Sequence, residues 1–162
     1  VAVLMGSDSD LPVMKSTLEV LKSLEIPFEV RVSSAHRTPV ATHDYVVDAD
    51  QRGCGVFIAA AGLAAHLAGA VAANTLKPVI GVPLDAGSLQ GIDALLSTAQ
   101  MPGGIPVACV AIGKPGAKNA AYLAAQILAL SDSELAKRVV EDRERSASAV
   151  FDKNNALQES LK

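Results

Sequence analysis

The chain has 162 residues, a net charge of -3 and an apolar half, enough for one domain with one core. No basic block is present to bind a polyanion, and with 3% aromatic residues and no tryptophan there is no stacking platform for single-stranded nucleic acid. No apolar run reaches the ~20 residues of a membrane span. No leader sequence is recognisable in a chain that starts inside a strand-like run. Cys54 and Cys109 lie far apart without CxxC or Cys/His spacing, so two reduced thiols in a reducing cytoplasm are expected.

In chain order, "VAVLM" (Val1–Met5) reads as a short buried strand. Asp10 is placed to cap a helix running to about Leu24, with Pro12 tolerated in its first turn and Met14, Leu18 and Leu21 on one face. "FEVRV" (Phe28–Val32) alternates as a strand with one wetter face. Thr38 and Pro39 give an N-cap and first-turn signal for a helix to about Arg52, ended by Gly53. "VFIAAA" (Val56–Ala61) is a third strand, and a small-residue helix follows from Ala64 to Asn74. "PVIGVP" (Pro78–Pro83) is a fourth, with a helix over about Gly91–Gln100. "VACVAI" (Val107–Ile112) is a fifth, with a helix over Asn119–Leu130. "SDSE" (Ser131–Glu134) has capping-box spacing and starts a last helix.

Strands apolar on both faces, alternating with helices, predict a parallel sheet covered on both sides. The expected architecture is α/β, a three-layer αβα sandwich with a flavodoxin-like five-stranded parallel sheet. A single domain is expected, with its core over about residues 1–130 and a long C-terminal helical tail over about 131–162. The tail keeps Leu135, Val139, Val140, Val150 and Phe151 on a charged helix, which suits packing on a neighbouring subunit; folding back on its own domain is the alternative. The alanine-rich stretches "HLAGAVAAN" and "NAAYLAAQILA" permit close backbone approach, within a core or between subunits.

Three loops at strand carboxyl ends, where such folds bind ligands, carry the unusual residues. In "MGSDSD" (Met5–Asp10), Gly6 permits a tight turn, Ser7 and Ser9 offer hydroxyls, and the following helix N-terminus suits a phosphate. Asp10 either caps that helix or accepts a hydrogen bond from a sugar hydroxyl. The stretch is neither GxGxxG nor a P-loop. In "VSSAHRTP" (Val32–Pro39), Arg37 can hold a phosphate through parallel hydrogen bonds, and Ser33 and Ser34 can add donors. A histidine ordinarily titrates near ~6.5, so His36 is a candidate general acid or base. In "AAGLAAHLAG" (Ala60–Gly69), small residues let a planar ligand approach the backbone. His66 there can touch ligand or bond a neighbouring loop, and the supporting role is the favoured one. His43 is expected at the surface. No metal-ligand pair at helical spacing and no GxSxG elbow is present.

"MGSDSD", "SSAHRTP", "AAHLAG", "PVIGVP", "DALLSTAQMPGGIPVACVAIG" and "KNAAYLAAQILA", in this order over Val1 to Leu130, resemble the N5-carboxyaminoimidazole ribonucleotide mutases of bacterial purine synthesis. The arginine of "SAHRTP" resembles the mutase branch; the sister carboxylases, which use aminoimidazole ribonucleotide and free carbon dioxide, more often have lysine there. The chain departs from the usual pattern at Leu63, commonly glycine, and Ala68, commonly proline, and the segment "LDAGSLQG" (Leu84–Gly91) is variable.

The resemblance implies a small ribonucleotide substrate, no cofactor and no metal. A carboxyl group moves from the exocyclic nitrogen to ring carbon C4 through released and recaptured carbon dioxide. It implies that Ser7, Ser9, Ser34 and Arg37 hold the 5′-phosphate, Asp10 the ribose, and backbone at Ala61 and Gly62 the imidazole, with His66 beside them. His36 would protonate the departing nitrogen and later remove the C4 proton. "MPGGIP" (Met101–Pro106) would close the pocket against water, and the C-terminal helix would reach a neighbour in a homo-octamer. The competing readings are the sister carboxylase and a non-catalytic nucleotide- or flavin-binding module; scarce aromatics disfavour flavin.

Overall fold

A computed structural model describes all 162 residues, Val1–Lys162. The strands are β1 (Ala2–Met5), β2 (Glu29–Val32), β3 (Phe57–Gly62), β4 (Val79–Leu84) and β5 (Ala108–Cys109). The helices are α1 (Leu11–Ser23), α2 (Pro39–Gln51), α3 (Leu67–Ala72), α4 (Ile92–Ala99), α5 (Gly113–Ala129) and α6 (Ser133–Ser160). All strand pairs are parallel, in the order β2-β1-β3-β4-β5. The chain reverses its direction of travel across the sheet at β1 and β3, and the crevice outside their carboxyl ends is the topological switch point.

Alternate residues of β1, β3 and β4 face opposite helical layers. Val3 and Met5 join Ile58, Ile80 and Val82 against Met14 and Leu21 of α1 and the alanines of α5. Ala2 and Leu4 join Phe57, Ala59 and Val79 against Tyr45 and Val46 of α2 and Leu67 and Val71 of α3. The alanine-rich fifth helix is therefore a core element. Its small side chains bring α1 so close that the Thr17 hydroxyl donates to the Ala117 carbonyl at 2.6 Å.

Several element bounds differ from those expected, each for a local reason. The helix α5 starts at Gly113 instead of Asn119, because Pro115 falls in its first turn, where no backbone N–H is required. The chain enters it so tightly that a Cβ on Gly116 would fall 1.6 Å from the Ala111 carbonyl oxygen. Strand β5 keeps only Ala108 and Cys109, at the sheet edge. Helix α3 keeps only Leu67–Ala72 of the expected Ala64–Asn74. The cap of α6 is Asp132, not Ser131: its carboxylate accepts from the N–H groups of Glu134 and Leu135, both at 3.0 Å.

The first turns of α6 dock on their own domain. Leu135 is buried, Arg138 Nε donates to the Leu24 carbonyl at 2.9 Å, and the Tyr122 hydroxyl donates to Asp142 at 2.8 Å. From Arg143 to Lys162 every residue is exposed, Val150 and Phe151 among them. No helix is long and apolar enough to cross a membrane.

Candidate active site

Parallel pairing sets the ends of three strands level. Met5 is opposite both Val32 and Ala60, and the ladder runs one step further, with Gly6 N–H donating to Ala60 O at 3.0 Å and Ser33 N–H to Met5 O at 2.7 Å. The loops that follow β1, β2 and β3 thus leave the sheet side by side at the switch point.

The first loop folds into a single 3-10 turn, Asp8–Asp10, with a capping box. Ser7 Oγ accepts from Ser9 N–H at 3.3 Å and from the Ser9 hydroxyl at 2.9 Å. Asp10 Oδ2 accepts from Ser7 N–H at 3.0 Å. Asp10 itself has helical backbone and makes no side-chain cap to α1. The expectation that it caps the helix is corrected: its carboxylate is drawn back to Ser7, on the cleft side. Burial pushes that carboxyl above the usual carboxylate range, against the opposing pull of the Ser7 and Gly6 N–H groups.

The second loop divides its polar residues between scaffold and cleft. Ser33 is buried and its hydroxyl shares a 2.7 Å hydrogen bond with that of Thr42 in α2, so it is an internal tie and not a ligand donor. Thr38 precedes α2 but makes no side-chain cap to it; its hydroxyl instead accepts from Ser34 N–H at 3.1 Å. Ser34 Oγ accepts from Arg37 N–H at 3.1 Å. The Arg37 guanidinium reaches across to the first loop, Nη2 to Gly6 O at 3.3 Å. These contacts leave Arg37 exposed beside Ser34 and the Ser7–Ser9 turn, with donors free for an anion.

The third loop brings His66 to the start of α3. Its Nδ1 lies 2.8 Å from His36 Nε2, and the rings meet edge to face with centroids 4.9 Å apart. His66 bonds a neighbouring loop, as favoured from the sequence, and also lines the cleft. His43 is exposed on α2 beside Asp44.

One cleft of about 510 Å³ is lined by Ser7, Ser9 and Asp10 from the first loop and by Ser34, His36 and Arg37 from the second. Ala61, Gly62 and His66 line it from the third. All the candidate site residues except Ser33 therefore converge. Ala86, from the loop after β4, and Leu63 also line it; neither carries a reactive group that sequence reasoning could single out. The loop Met101–Pro106 is not among the lining residues. It follows a helix, so it returns to the amino ends of the strands, where Gly104, Ile105 and Pro106 line a separate cavity with Thr75–Val79. Within one chain the loop is thus no part of this cleft, and closing the pocket against water stays an expectation from the resemblance. Nowhere do three His, Cys, Asp or Glu side chains converge as metal ligands.

An exposed arginine and a hydrogen-bonded imidazole pair in a cleft at the switch point define the class: a doubly wound parallel α/β protein with a polar cleft at the carboxyl ends of its strands. A model of the AIR carboxylase family matches residues 1–149, and the chain belongs to that family. It is 49% identical over 157 residues to the N5-carboxyaminoimidazole ribonucleotide mutase of Bacillus subtilis, covering 97% of each chain. It is 50% identical over 159 residues to that of Thermotoga maritima, covering 98% of this chain and 92% of the other. The crystal structure of Treponema denticola PurE superposes with a TM-score of 0.84 over 96% of both chains, at 30% identity.

Proposed function

We propose that the chain is an N5-carboxyaminoimidazole ribonucleotide mutase of purine biosynthesis, an isomerase that moves a carboxyl group from the exocyclic nitrogen to C4 of the aminoimidazole. The observation that carries this reading is the His36–His66 pair standing in the same cleft as Arg37 and the serine hydroxyls. An acid–base group and a phosphate cradle are what a mutase acting on a ribonucleotide needs from its own chain.

In this reading Arg37, Ser34, Ser7 and Ser9 hold the 5′-phosphate, and Asp10 accepts from the ribose. The small Ala61–Gly62 backbone lies against the ring. The exocyclic N–C bond breaks with its electron pair left on nitrogen, and His36 delivers a proton there. C4 then attacks the released carbon dioxide, and His36 takes the C4 proton, so the residue ends the cycle as it began. His66 fixes the orientation of the His36 ring through their hydrogen bond, since an acid–base group must be held within reach of the proton it moves. The family resemblance supports a cytoplasmic homo-octamer, and the bare apolar residues of α6 are consistent with burial on a neighbouring copy.

The decisive assay offers the carboxyamino substrate against aminoimidazole ribonucleotide plus bicarbonate. Turnover of the former at low bicarbonate is expected; turnover of only the latter pair would assign the chain to the sister carboxylases instead.

Asp10 gives this reading a pH signature. Its carboxyl is raised by burial, so it takes up a proton at a higher pH than an exposed aspartate does. If the carboxylate accepts from the ribose, KM rises as pH falls through that raised pKa, before ordinary carboxylates titrate. Asp10→Asn should bind more weakly at neutral pH and lack this acid limb. An identical KM–pH profile in both proteins would remove Asp10 from the ribose site.

A further inference from the structure

Thr38 stands at the N-cap position, just before the Pro39 that opens α2, yet its hydroxyl caps nothing. A cap hydroxyl ordinarily satisfies an N–H of the first helical turn. This one turns back into the loop. It accepts from Ser34 N–H at 3.1 Å and donates to Ser34 O at 3.0 Å, where the Thr38 N–H also donates at 2.9 Å. Ser33 N–H is still on the sheet ladder. Ser34 is the first residue past it, and both of its main-chain polar groups need partners. One threonine supplies them, and Ala35, His36 and Arg37 are enclosed by the clasp between Ser34 and Thr38.

The clasp is tied to the core behind it. Thr38 O accepts from Thr42 N–H at 3.0 Å and from the Thr42 hydroxyl at 2.9 Å. A hydroxyl has one proton to give, so in the 2.7 Å pair of buried hydroxyls it is Ser33 that donates to Thr42. The run Ser33, Thr42, Thr38, Ser34 thus begins and ends on adjacent residues. Within it, His36 makes no main-chain hydrogen bond of its own, and its imidazole has one partner, His66. Where that imidazole stands therefore depends on how the clasp is shut. Thr38 itself is exposed and does not line the cleft.

We propose that Thr38 is a positioning residue for His36, acting on proton transfer through its hydroxyl without touching substrate. The inference rests on the mutase reading, in which His36 meets first the nitrogen and then C4 and must be held for both. Misplacing such a group by about 1 Å can cost roughly 10²-fold in rate. Phosphate holding depends less on the clasp. Arg37 is braced by Gly6 O on the first loop, where Ser7 and Ser9 also stand.

The test is Thr38→Val, which keeps the shape of the side chain and removes the hydroxyl. Water can reach Ser34 N–H in this exposed loop, so the melting temperature should stay within about 2 °C of wild type. Turnover should fall by about 10- to 100-fold, with KM changed by no more than a few-fold. Thr38→Ser, which keeps the hydroxyl, should retain most of the activity. A second readout needs no turnover. Acylation of His36 by diethyl pyrocarbonate, followed by peptide mass spectrometry with the exposed His43 as reference, should quicken several-fold in Thr38→Val as the bond to His66 opens. Thr38→Ser should match wild type. Wild-type turnover in Thr38→Val, an equal loss in Thr38→Ser, a loss matched by a fall in melting temperature, or unchanged acylation of His36 overturns the proposal. A wild-type protein that makes no isomerised product from the carboxyamino substrate is a separate result; it overturns the mutase reading, and the role of Thr38 in turnover with it.

Discussion

Replacing His36 by asparagine is expected to lower turnover by at least about 10³-fold while leaving KM within a few-fold of wild type. In the proposed cycle His36 moves a proton twice, once to nitrogen and once from C4, and each positioned transfer contributes typically 10²–10⁴-fold. Asparagine keeps a hydrogen-bonding group at the cleft and can still meet His66, so the loop and the phosphate cradle persist. The same geometry predicts the split between parameters. The proposed phosphate ligands, Arg37 and Ser34, bond one another and Gly6 O, none of them through the His36 ring. Steady-state kinetics with a measured dissociation constant for a phosphorylated ligand would check both halves. Turnover near wild type would end the acid–base assignment.

The second large effect concerns stability. Gly116→Ala should destabilise the fold by about 3 kcal/mol or more, lowering the melting temperature by roughly 10 °C in a chain of this size. The added methyl would overlap the Ala111 carbonyl, with its carbon 2.5 Å away. Relief would require moving main chain on one side or the other. One side is the entry from β5; the other is α5, whose Ala117, Ala120 and Ala121 are fully buried against α1 and the sheet. Neither can shift without opening the core. Gly103→Ala is the matched control, because nothing lies within 4 Å of its added carbon; it should be neutral. Equal melting of the two variants would show that the β5–α5 junction repacks freely.

The sheet was legible in the sequence because its strands are short apolar runs separated by turn residues, and parallel pairing followed from alternation with helices. Element ends were less so. "GKPGAK" reads as loop by its glycines and proline, yet the first helical turn makes no use of the N–H that proline lacks. Asp10 and Ser131 were reasonable caps by spacing. The competing partners that displaced them, Ser7 N–H for Asp10 and Asp132 for Ser131, depend on backbone angles that spacing does not encode. Among the site residues, the polar ones announced themselves by chemistry at strand ends. Ser33 misled because adjacent serines point to opposite sides, one to Thr42 and one to the cleft. Leu63 and Ala86 carried no chemical signal; their place in the cleft follows from two loops packing together over a distance of more than twenty residues.

The level ends of β1, β2 and β3 bear on how such a protein can change over evolutionary time. The site loops are placed by main-chain pairs, Gly6 to Ala60 and Ser33 to Met5, and these are indifferent to which side chains fill the layers beneath. Substitutions inside the sandwich can therefore accumulate, so long as volume is kept, without dragging the reacting groups apart. About seven residues in ten differ between this chain and Treponema denticola PurE, while the backbones superpose with a TM-score of 0.84. Hydrogen-bond register, more than the packed interior, is what lets this architecture drift in sequence and keep its geometry.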